Sequence, residues 1–171
     1  MKDIQSLCAR VRQTAYDIHL YYGHGHLEKV YENALAHRLR KTGLDVKQQY
    51  PIKVFDEDGT LIGDYYADLL VDGWLIVELK TAKALADEHV AQVLGYLMSA
   101  RLEHGLLIDS AWLGRTRLFI SLTSKMRGFW RRPTRGGVQG RRFDVRIVVG
   151  SGGHSNGFVV SALGRSPPAP R

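Results

Sequence analysis

The sequence predicts an α/β domain over residues 1–109, followed by a basic segment of different character over residues 110–171. Two observations predict this fold class. Apolar residues recur at helical spacing before Gly43 and again around residue 90, which indicates amphipathic helices. Between these segments lie three runs rich in Val, Ile, Leu, Tyr and Trp and bounded by Gly and Asp, which is typical of strands.

The first two elements are predicted to be helices. Residues 3–22 carry apolar side chains at near-helical spacing, namely Ile4, Leu7, Val11, Ala15 and Ile18. Gly23 and Gly25 interrupt this pattern and end the helix. A second helix is predicted over residues 26–42, with Gly43 as its stop signal.

Strands and a third helix follow. The predicted strands cover Val46–Phe55, Leu61–Leu70, Trp74–Lys80 and, beginning a fourth, Gly105–Ile108. The sequence Asp56-Glu57-Asp58-Gly59 separates the first two strands, and Asp72-Gly73 is the turn signal between the second and the third. Residues 87–100 are apolar enough to form a helix, with Asp87 near its N-cap.

Three charged residues interrupt the second and third strands: Asp68, Glu78 and Lys80. Burying unpaired charges is costly, so charges inside apolar runs need a partner, and a divalent metal is the obvious one. Because side chains alternate along a strand, Glu78 and Lys80 share one face, and Val77 and Leu79 share the other. Taken alone, this short pattern is also compatible with a solvated hairpin face.

The turn at Asp72-Gly73 decides whether Asp68 joins the same face. A two-residue turn would pair Asp68 with Val77 and point the two acids apart. A three-residue turn that begins at Val71, with its glycine left-handed, would pair Asp68 with Ile76. We therefore predict the three-residue or bulged turn, which brings both acids and the lysine onto one face.

The residue types of this cluster suit metal-assisted phosphoryl chemistry. Carboxylate oxygens are ligands that Mg²⁺ or Mn²⁺ prefer. Such a metal can clamp a phosphate and generate hydroxide from a bound water. Lys80 beside it would orient the water or stabilise charge in the transition state. The cluster therefore predicts phosphodiester hydrolysis.

Four motifs in order resemble the PD-(D/E)XK nuclease superfamily, and more closely its small bacterial family named for a GxxExxY motif. That motif stands here as Gly25-His26-Leu27-Glu28-Lys29-Val30-Tyr31. It is followed by Tyr66-Ala67-Asp68, by Val77-Glu78-Leu79-Lys80, and by a Gln-x-x-x-Tyr motif formed by Gln92 and Tyr96. The resemblance covers the stretch from Ile4 to Asp109.

The resemblance implies a restriction-endonuclease-like core in the order α-β-β-β-α-β, with a mixed central sheet flanked by helices. It implies that Asp68 and Glu78 ligate Mg²⁺ or Mn²⁺, and that Glu28 adds a ligand or holds a water ligand. It also implies that Lys80 is the catalytic lysine.

Further supporting residues follow from the same resemblance. Gln92 and Tyr96, four residues apart on one helix face, would hold the site or contact nucleic acid. Tyr31 is another supporting candidate, although a tyrosine near Leu27 and Leu35 is also typical of a core aromatic. Before the glutamate helix, members of the similar family often have Gly-Pro-Gly, where this chain has Gly23-His24-Gly25-His26. Two histidines without a third ligand favour a polar helix-entry loop over a metal site.

Charge is distributed unevenly along the chain. Residues 1–109 carry 12 Lys and Arg against 16 Asp and Glu, a net charge of −4, whereas residues 110–171 carry 12 against one, a net charge of +11. The net charge of +7 therefore does not by itself indicate nucleic-acid binding by the first domain.

The single cysteine, Cys8, excludes an intrachain disulfide, and a reducing cytoplasm is the simplest fit. Neither a signal core nor a membrane span is expected.

The resemblance stops after Asp109, where the composition becomes rich in Arg, Gly and Pro. One explanation is a reading-frame shift, since deleting one T from GAC-TTC-GGC-ATG-G turns codons for Asp-Phe-Gly-Met into codons for the observed Asp-Ser-Ala-Trp at 109–112. The rival explanation is a genuine basic extension that binds phosphates and stacks on bases, through Phe129, Trp130, Arg131, Arg132, Arg141, Arg142 and Phe143. Strands are possible over Phe143–Val149 and Phe158–Leu163 under either explanation, and the rest of the segment is expected to be poorly ordered.

Three functions remain in view. The first is a Mg²⁺- or Mn²⁺-dependent nuclease acting on nucleic acid, with DNA as the expected substrate. The second is a catalytically silent nucleic-acid-binding module, which loss of the strand after Asp109 would favour because a truncated sheet holds a site poorly. The third is a protein-interaction role with an unspecified partner. The sequence leaves open DNA against RNA, cleavage from an end or internally, and pairing of two copies into a homodimer.

Overall fold

The computed structural model describes residues 3–81, 85–109, 119–125, 143–150 and 160–164, the last three ranges as backbone only. The elements in chain order are α1 (Ile4–Tyr22), α2 (Glu28–Lys41), β1 (Val46–Phe55), β2 (Leu61–Val71), β3 (Leu75–Lys80), α3 (Asp87–Ala100), β4 (His104–Asp109), β5 (Phe119–Lys125), β6 (Phe143–Gly150) and β7 (Val160–Gly164). The predicted order of helices and strands up to Asp109 is confirmed.

The strands form one mixed sheet in the order β1-β2-β3-β4-β5-β6-β7. Strands β1, β2 and β3 are antiparallel neighbours joined by short turns. Strands β3 and β4 are parallel, which requires a crossover connection, and α3 supplies it. The mixed sheet of the predicted α-β-β-β-α-β core is therefore present.

Helices cover both faces of the sheet. Helices α1 and α2 pack on one face through a buried cluster that includes Val11, Leu35 and Leu39 from the helices and Val77, Leu79, Leu106 and Ile108 from the strands. Helix α3 packs on the other face, where Val93 and Leu97 meet Ile76 and Leu107. Strands β3 and β4 are buried on both faces, as expected for the parallel part of a sheet.

Helix ends lie close to their predicted positions. Asp3 caps α1 by accepting hydrogen bonds from the backbone N–H groups of Gln5 and Ser6 at 3.1 and 3.0 Å. Helix α2 begins at Glu28 rather than at residue 26 and ends before Gly43, whose φ is +82°. Asp87 is the first helical residue of α3, and Ala86 precedes it as the N-cap.

The turn between β2 and β3 differs from the prediction by one position. The observed register pairs Leu69 with Val77 and Leu70 with Ile76, so the predicted pairing of Asp68 with Ile76 is wrong. The turn comprises Asp72, Gly73 and Trp74 instead of beginning at Val71.

Contacts outside the hairpin explain this turn position. The Asp72 backbone N–H donates to the Asp45 carbonyl oxygen at 2.7 Å, and the Asp72 carboxylate accepts from the Asp45 N–H at 2.9 Å. Asp72 is thereby tied to the start of β1. Asp72 and Gly73 both have positive φ, and the turn has the predicted length of three residues but begins one residue later than predicted. Gly73 is left-handed, as predicted.

The sheet continues beyond β4. Strand β5 pairs antiparallel with β4, β6 with β5 and β7 with β6. Strands β6 and β7 correspond to the two strands considered possible in the C-terminal segment. The basic and aromatic residues at 129–132, together with Arg141 and Arg142, lie outside the described residues.

Candidate active site

The candidate site lies where strands β2 and β3 separate. Their ladder ends at Leu69 and Val77, and the next residue on each strand is an acid, Asp68 opposite Glu78. The Leu79 N–H donates to Asp68 Oδ2 at 2.8 Å, and the Asp68 N–H donates to Glu78 Oε2 at 3.4 Å. The two carboxylates thus accept from backbone N–H groups that the diverging strands leave without ladder partners.

Lys80 completes a charged pair on β3. Its Nζ donates to Glu78 Oε1 at 2.7 Å. Val77 and Leu79 pack in the core beneath α1 and α2, while Ile76 packs beneath α3, so the predicted alternation along this strand is confirmed. The Glu78 side chain is 4% exposed and that of Lys80 is 18% exposed, which makes this a largely desolvated ion pair.

The electrostatic environment of Asp68 and Glu78 favours the addition of positive charge beside them. Burial and the nearby Asp68 carboxylate raise the pKa of Glu78 to about 7. Burial also raises the pKa of Asp68, and the charges of Glu28 and Glu32 act in the same direction. Burial opposes the charge on Lys80, but the hydrogen bond and charge of Glu78 outweigh it and raise the lysine pKa. Lys80 is therefore a cation at neutral pH.

The GxxExxY residues hold the start of α2 against β3. Gly25 has φ of +101°, a conformation that favours glycine. Glu28, the first residue of α2, accepts a hydrogen bond at Oε2 from the N–H of Thr81 at 3.0 Å, just after β3. The buried Tyr31 donates its hydroxyl to the Gly23 carbonyl oxygen at 2.7 Å. Tyr31 therefore lies in the core and anchors the loop that precedes Glu28.

Glu32 is a buried acid that the sequence analysis did not identify. It is 2% exposed and accepts from Lys29 Nζ at 2.7 and 2.8 Å. The side-chain amides of Gln48 and Gln49 each donate to it at 3.0 Å. Its position four residues after Glu28, on the same face of α2, was the signal available in the sequence.

Glu28, Glu32 and Asp68 border an open cleft. Its lining residues are Leu27, Glu28, Lys29, Glu32, Gln49, Asp68 and Thr81. The cleft therefore gives access to Asp68 from the side of α2. Glu78 and Lys80 lie on the same face of β3 as Ile76, which packs beneath α3. We call Glu28, Glu32, Asp68 and Glu78 the carboxylate cluster.

Gln92 and Tyr96 meet each other on α3. Gln92 Nε2 donates to the Tyr96 hydroxyl at 2.5 Å, as their spacing of four residues allows. Tyr96 is 4% exposed, and burial and the charge of Glu78 raise its pKa. Its ring lies 5.4 Å from that of Tyr65 on β2. The predicted supporting pair is thus within electrostatic range of the carboxylate cluster.

The oxygen atoms of the carboxylate cluster are chemically suited to a divalent cation, although their arrangement does not form a metal site. Among the described residues, no three His, Cys, Asp or Glu side chains are grouped so that they could hold a metal ion. The carboxylate cluster nevertheless supplies only hard oxygen donors, with two lysines, Lys29 and Lys80, bonded to it. Such oxygens suit Mg²⁺ or Mn²⁺. His26, the other candidate, contacts the rings of Tyr22 and Tyr31 instead.

The mixed sheet carries an acid on one strand and a Glu-x-Lys sequence on the neighbouring strand that diverges from it. A glutamate enters the same region from a helix. These features together define a nuclease-type fold. The profile of the PD-(D/E)XK nuclease superfamily matches residues 5–115, and the chain belongs to this superfamily. Comparison with curated proteins gave no match, and comparison with solved structures gave none either. Within the part of the chain that the structure describes, no helix is long and apolar enough to cross a membrane.

Proposed function

We propose that this protein is a Mg²⁺- or Mn²⁺-dependent nuclease that hydrolyses phosphodiester bonds, with DNA as its substrate. The observation that carries the proposal is the desolvated Lys80–Glu78 pair of 2.7 Å placed next to Asp68 at the diverging ends of two strands. The positive φ of Gly25 and the hydrogen bonds of Glu28 and Tyr31 support assignment to the GxxExxY family.

The carboxylates supply the ligands in this proposal. Asp68 and Glu78 would hold the cation, and Glu28 would add a ligand or hold a water ligand. When bound, the cation supplies a Lewis acid that neutralises phosphate charge and acidifies water. The raised pKa of Glu78 in the metal-free protein means that cation binding displaces a proton from this group.

Lys80 acts as a charged donor in this scheme. Because Glu78 raises its pKa, Lys80 keeps its proton and does not serve as a general base at neutral pH. Its ammonium group orients the attacking water and stabilises the negative charge that develops on the phosphate oxygens. Hydrolysis would leave a 5′-phosphate and a 3′-hydroxyl group.

Gln92 and Tyr96 support the site from α3. Tyr96 bonds to Gln92, contacts the ring of the exposed Tyr65 and has its pKa raised by burial and by the charge of Glu78. From there they would hold the site or contact the nucleic acid. Pairing of two copies would let the enzyme cut both strands of a duplex, and the oligomeric state measured by light scattering would test that part of the proposal.

Cleavage assays test the proposal directly. Single- and double-stranded DNA and RNA of matched sequence are incubated with the full chain in EDTA, Mg²⁺ or Mn²⁺. We expect metal-dependent cleavage of DNA that falls by about 10²–10³-fold in Lys80→Ala, the usual loss when one transition-state donor is removed. Lys53→Ala is the matched control, since it removes an exposed strand lysine and should leave the rate unchanged.

The alternative, a silent nucleic-acid-binding module, predicts a different set of results. Folded protein would bind DNA but not cut it, and calorimetry would detect no Mn²⁺ binding. That pattern in the wild-type chain would overturn the nuclease proposal.

A further inference from the structure

Gln49, in the middle of β1, has an unusual backbone conformation. Its φ is +49°, in the left-handed region that residues other than glycine rarely adopt. Its neighbours Gln48 and Tyr50 pair normally with Leu69 and Ala67 on β2. Strain of this kind persists only where surrounding contacts enforce it, and it concentrates at functional sites.

The side chain of Gln49 bridges two carboxylates. Its Nε2 donates to Glu32 Oε2 at 3.0 Å and to Asp68 Oδ1 at 3.3 Å. The register places Gln49 directly opposite Asp68 across the β1–β2 pair. A primary amide carries two N–H donors on one nitrogen, so one uncharged group can serve both anions.

The bridge has a rigid support on α2. Glu32 is buried and is held by Lys29 Nζ and by the amide of Gln48. Asp68, in turn, is already fixed at Oδ2 by the N–H of Leu79. The two hydrogen bonds of Gln49 therefore tie Oδ1 of Asp68 to Glu32, a carboxylate that is itself held in place.

We propose that Gln49 is a positioning residue for the Asp68 carboxylate, and that its left-handed conformation is maintained for this purpose. The proposal rests on the nuclease function proposed above. A neutral amide suits the task because it orients a carboxylate and leaves its negative charge in place for a cation. A lysine here would neutralise that charge, and a glutamate would add a third anion beside Glu32 and Asp68.

Gln49→Gly separates positioning from a purely structural role. Glycine adopts φ of +49° without strain, so relief of strain should offset part of the stability that the missing side chain costs, and the variant should still fold. It nevertheless loses both hydrogen bonds. We expect Mn²⁺ affinity measured by calorimetry to fall by about 10–100-fold, as when other outer contacts of metal ligands are removed, with kcat falling alongside.

Lys47→Gly is the matched control. Lys47 is an exposed residue of the same strand, paired with Leu70 on β2. This variant should lose stability, because glycine weakens a strand interior, and should keep its Mn²⁺ affinity. Both variants place a glycine in β1, and only Gln49→Gly is expected to weaken metal binding.

Hydrogen exchange tests the inference independently of any metal or activity. The Leu79 N–H is protected by Asp68 Oδ2, so release of Asp68 should speed exchange of this amide by about tenfold in Gln49→Gly, the factor expected for one weakened hydrogen bond. Lys47→Gly should leave Leu79 exchange close to wild type. Unchanged Leu79 exchange in a folded Gln49→Gly protein would overturn the inference, whereas a wild-type chain that neither binds Mn²⁺ nor cleaves DNA would overturn the proposed function alone.

Discussion

Replacing Glu78 with glutamine tests the electrostatics of the site through stability. Glu78 has a pKa of about 7 in the folded chain against 4.5 in the unfolded one. Since each pH unit of difference corresponds to about 1.36 kcal/mol, ionising Glu78 in the metal-free fold costs roughly 3 kcal/mol. A glutamine side chain at this position cannot ionise, so Glu78→Gln should remove this cost.

The sign of the effect follows from proton binding. Between pH 4.5 and 7 the folded state holds a proton on Glu78 that the unfolded state has released. The stabilisation from this group is therefore complete below pH 4.5 and is lost as the pH rises through about 7. Relative to wild type, Glu78→Gln should gain up to about 3 kcal/mol in free energy of unfolding at about pH 8 compared with about pH 4.

Thermal denaturation from about pH 4 to about pH 9 in EDTA provides the assay. For a domain of this size we expect the variant's relative gain at high pH to reach about 6–12 °C in Tm. Glu57→Gln, at an exposed position in the turn after β1, is the matched control and should follow wild type. If wild type and Glu78→Gln change in parallel with pH, the account of a desolvated Glu78 is wrong.

Three further substitutions probe the fold, each measured by urea denaturation. Leu106→Ala, at a fully buried position, should lower the free energy of unfolding by about 2–5 kcal/mol because it leaves a cavity, and a loss below about 1 kcal/mol would contradict the described core. Gly105→Ala would place its Cβ 2.7 Å from Val93 Cγ1, so overpacking should cost about 1–3 kcal/mol, and a neutral result would show that α3 packs elsewhere. Gly73→Ala should cost about 1–2 kcal/mol because φ is +80° there, whereas Gly63→Ala, with open space around it, should cost less.

The elements themselves could be predicted because their signals are local. Strand β1 and helix α3 have the predicted bounds, Val46–Phe55 and Asp87–Ala100. Apolar periodicity and the Gly and Asp residues between the runs depend only on neighbours in sequence. The same holds for the alternation that places Glu78 and Lys80 on one face of β3.

The register of β2 against β3 could not be predicted from the hairpin alone. Both acids do lie at the same end of the pair, but Asp68 is opposite Glu78 rather than paired with Ile76. The deciding contacts join Asp72 to Asp45, 27 residues earlier in the chain. The register therefore differs from the predicted one by two residues on β3, and this choice depended on packing against β1.

The sequence by itself determined the class of the fold, the order of its elements and the acids and lysine of the candidate site, because residue type and periodicity carry that information. Only the tertiary structure decided that Glu32 is buried and that Gln49 bridges it to Asp68. Those contacts join α2, β1 and β2 across 17 and 19 residues of chain. Burial of an acid and strain in a strand both arise from such distant contacts, which no local pattern encodes.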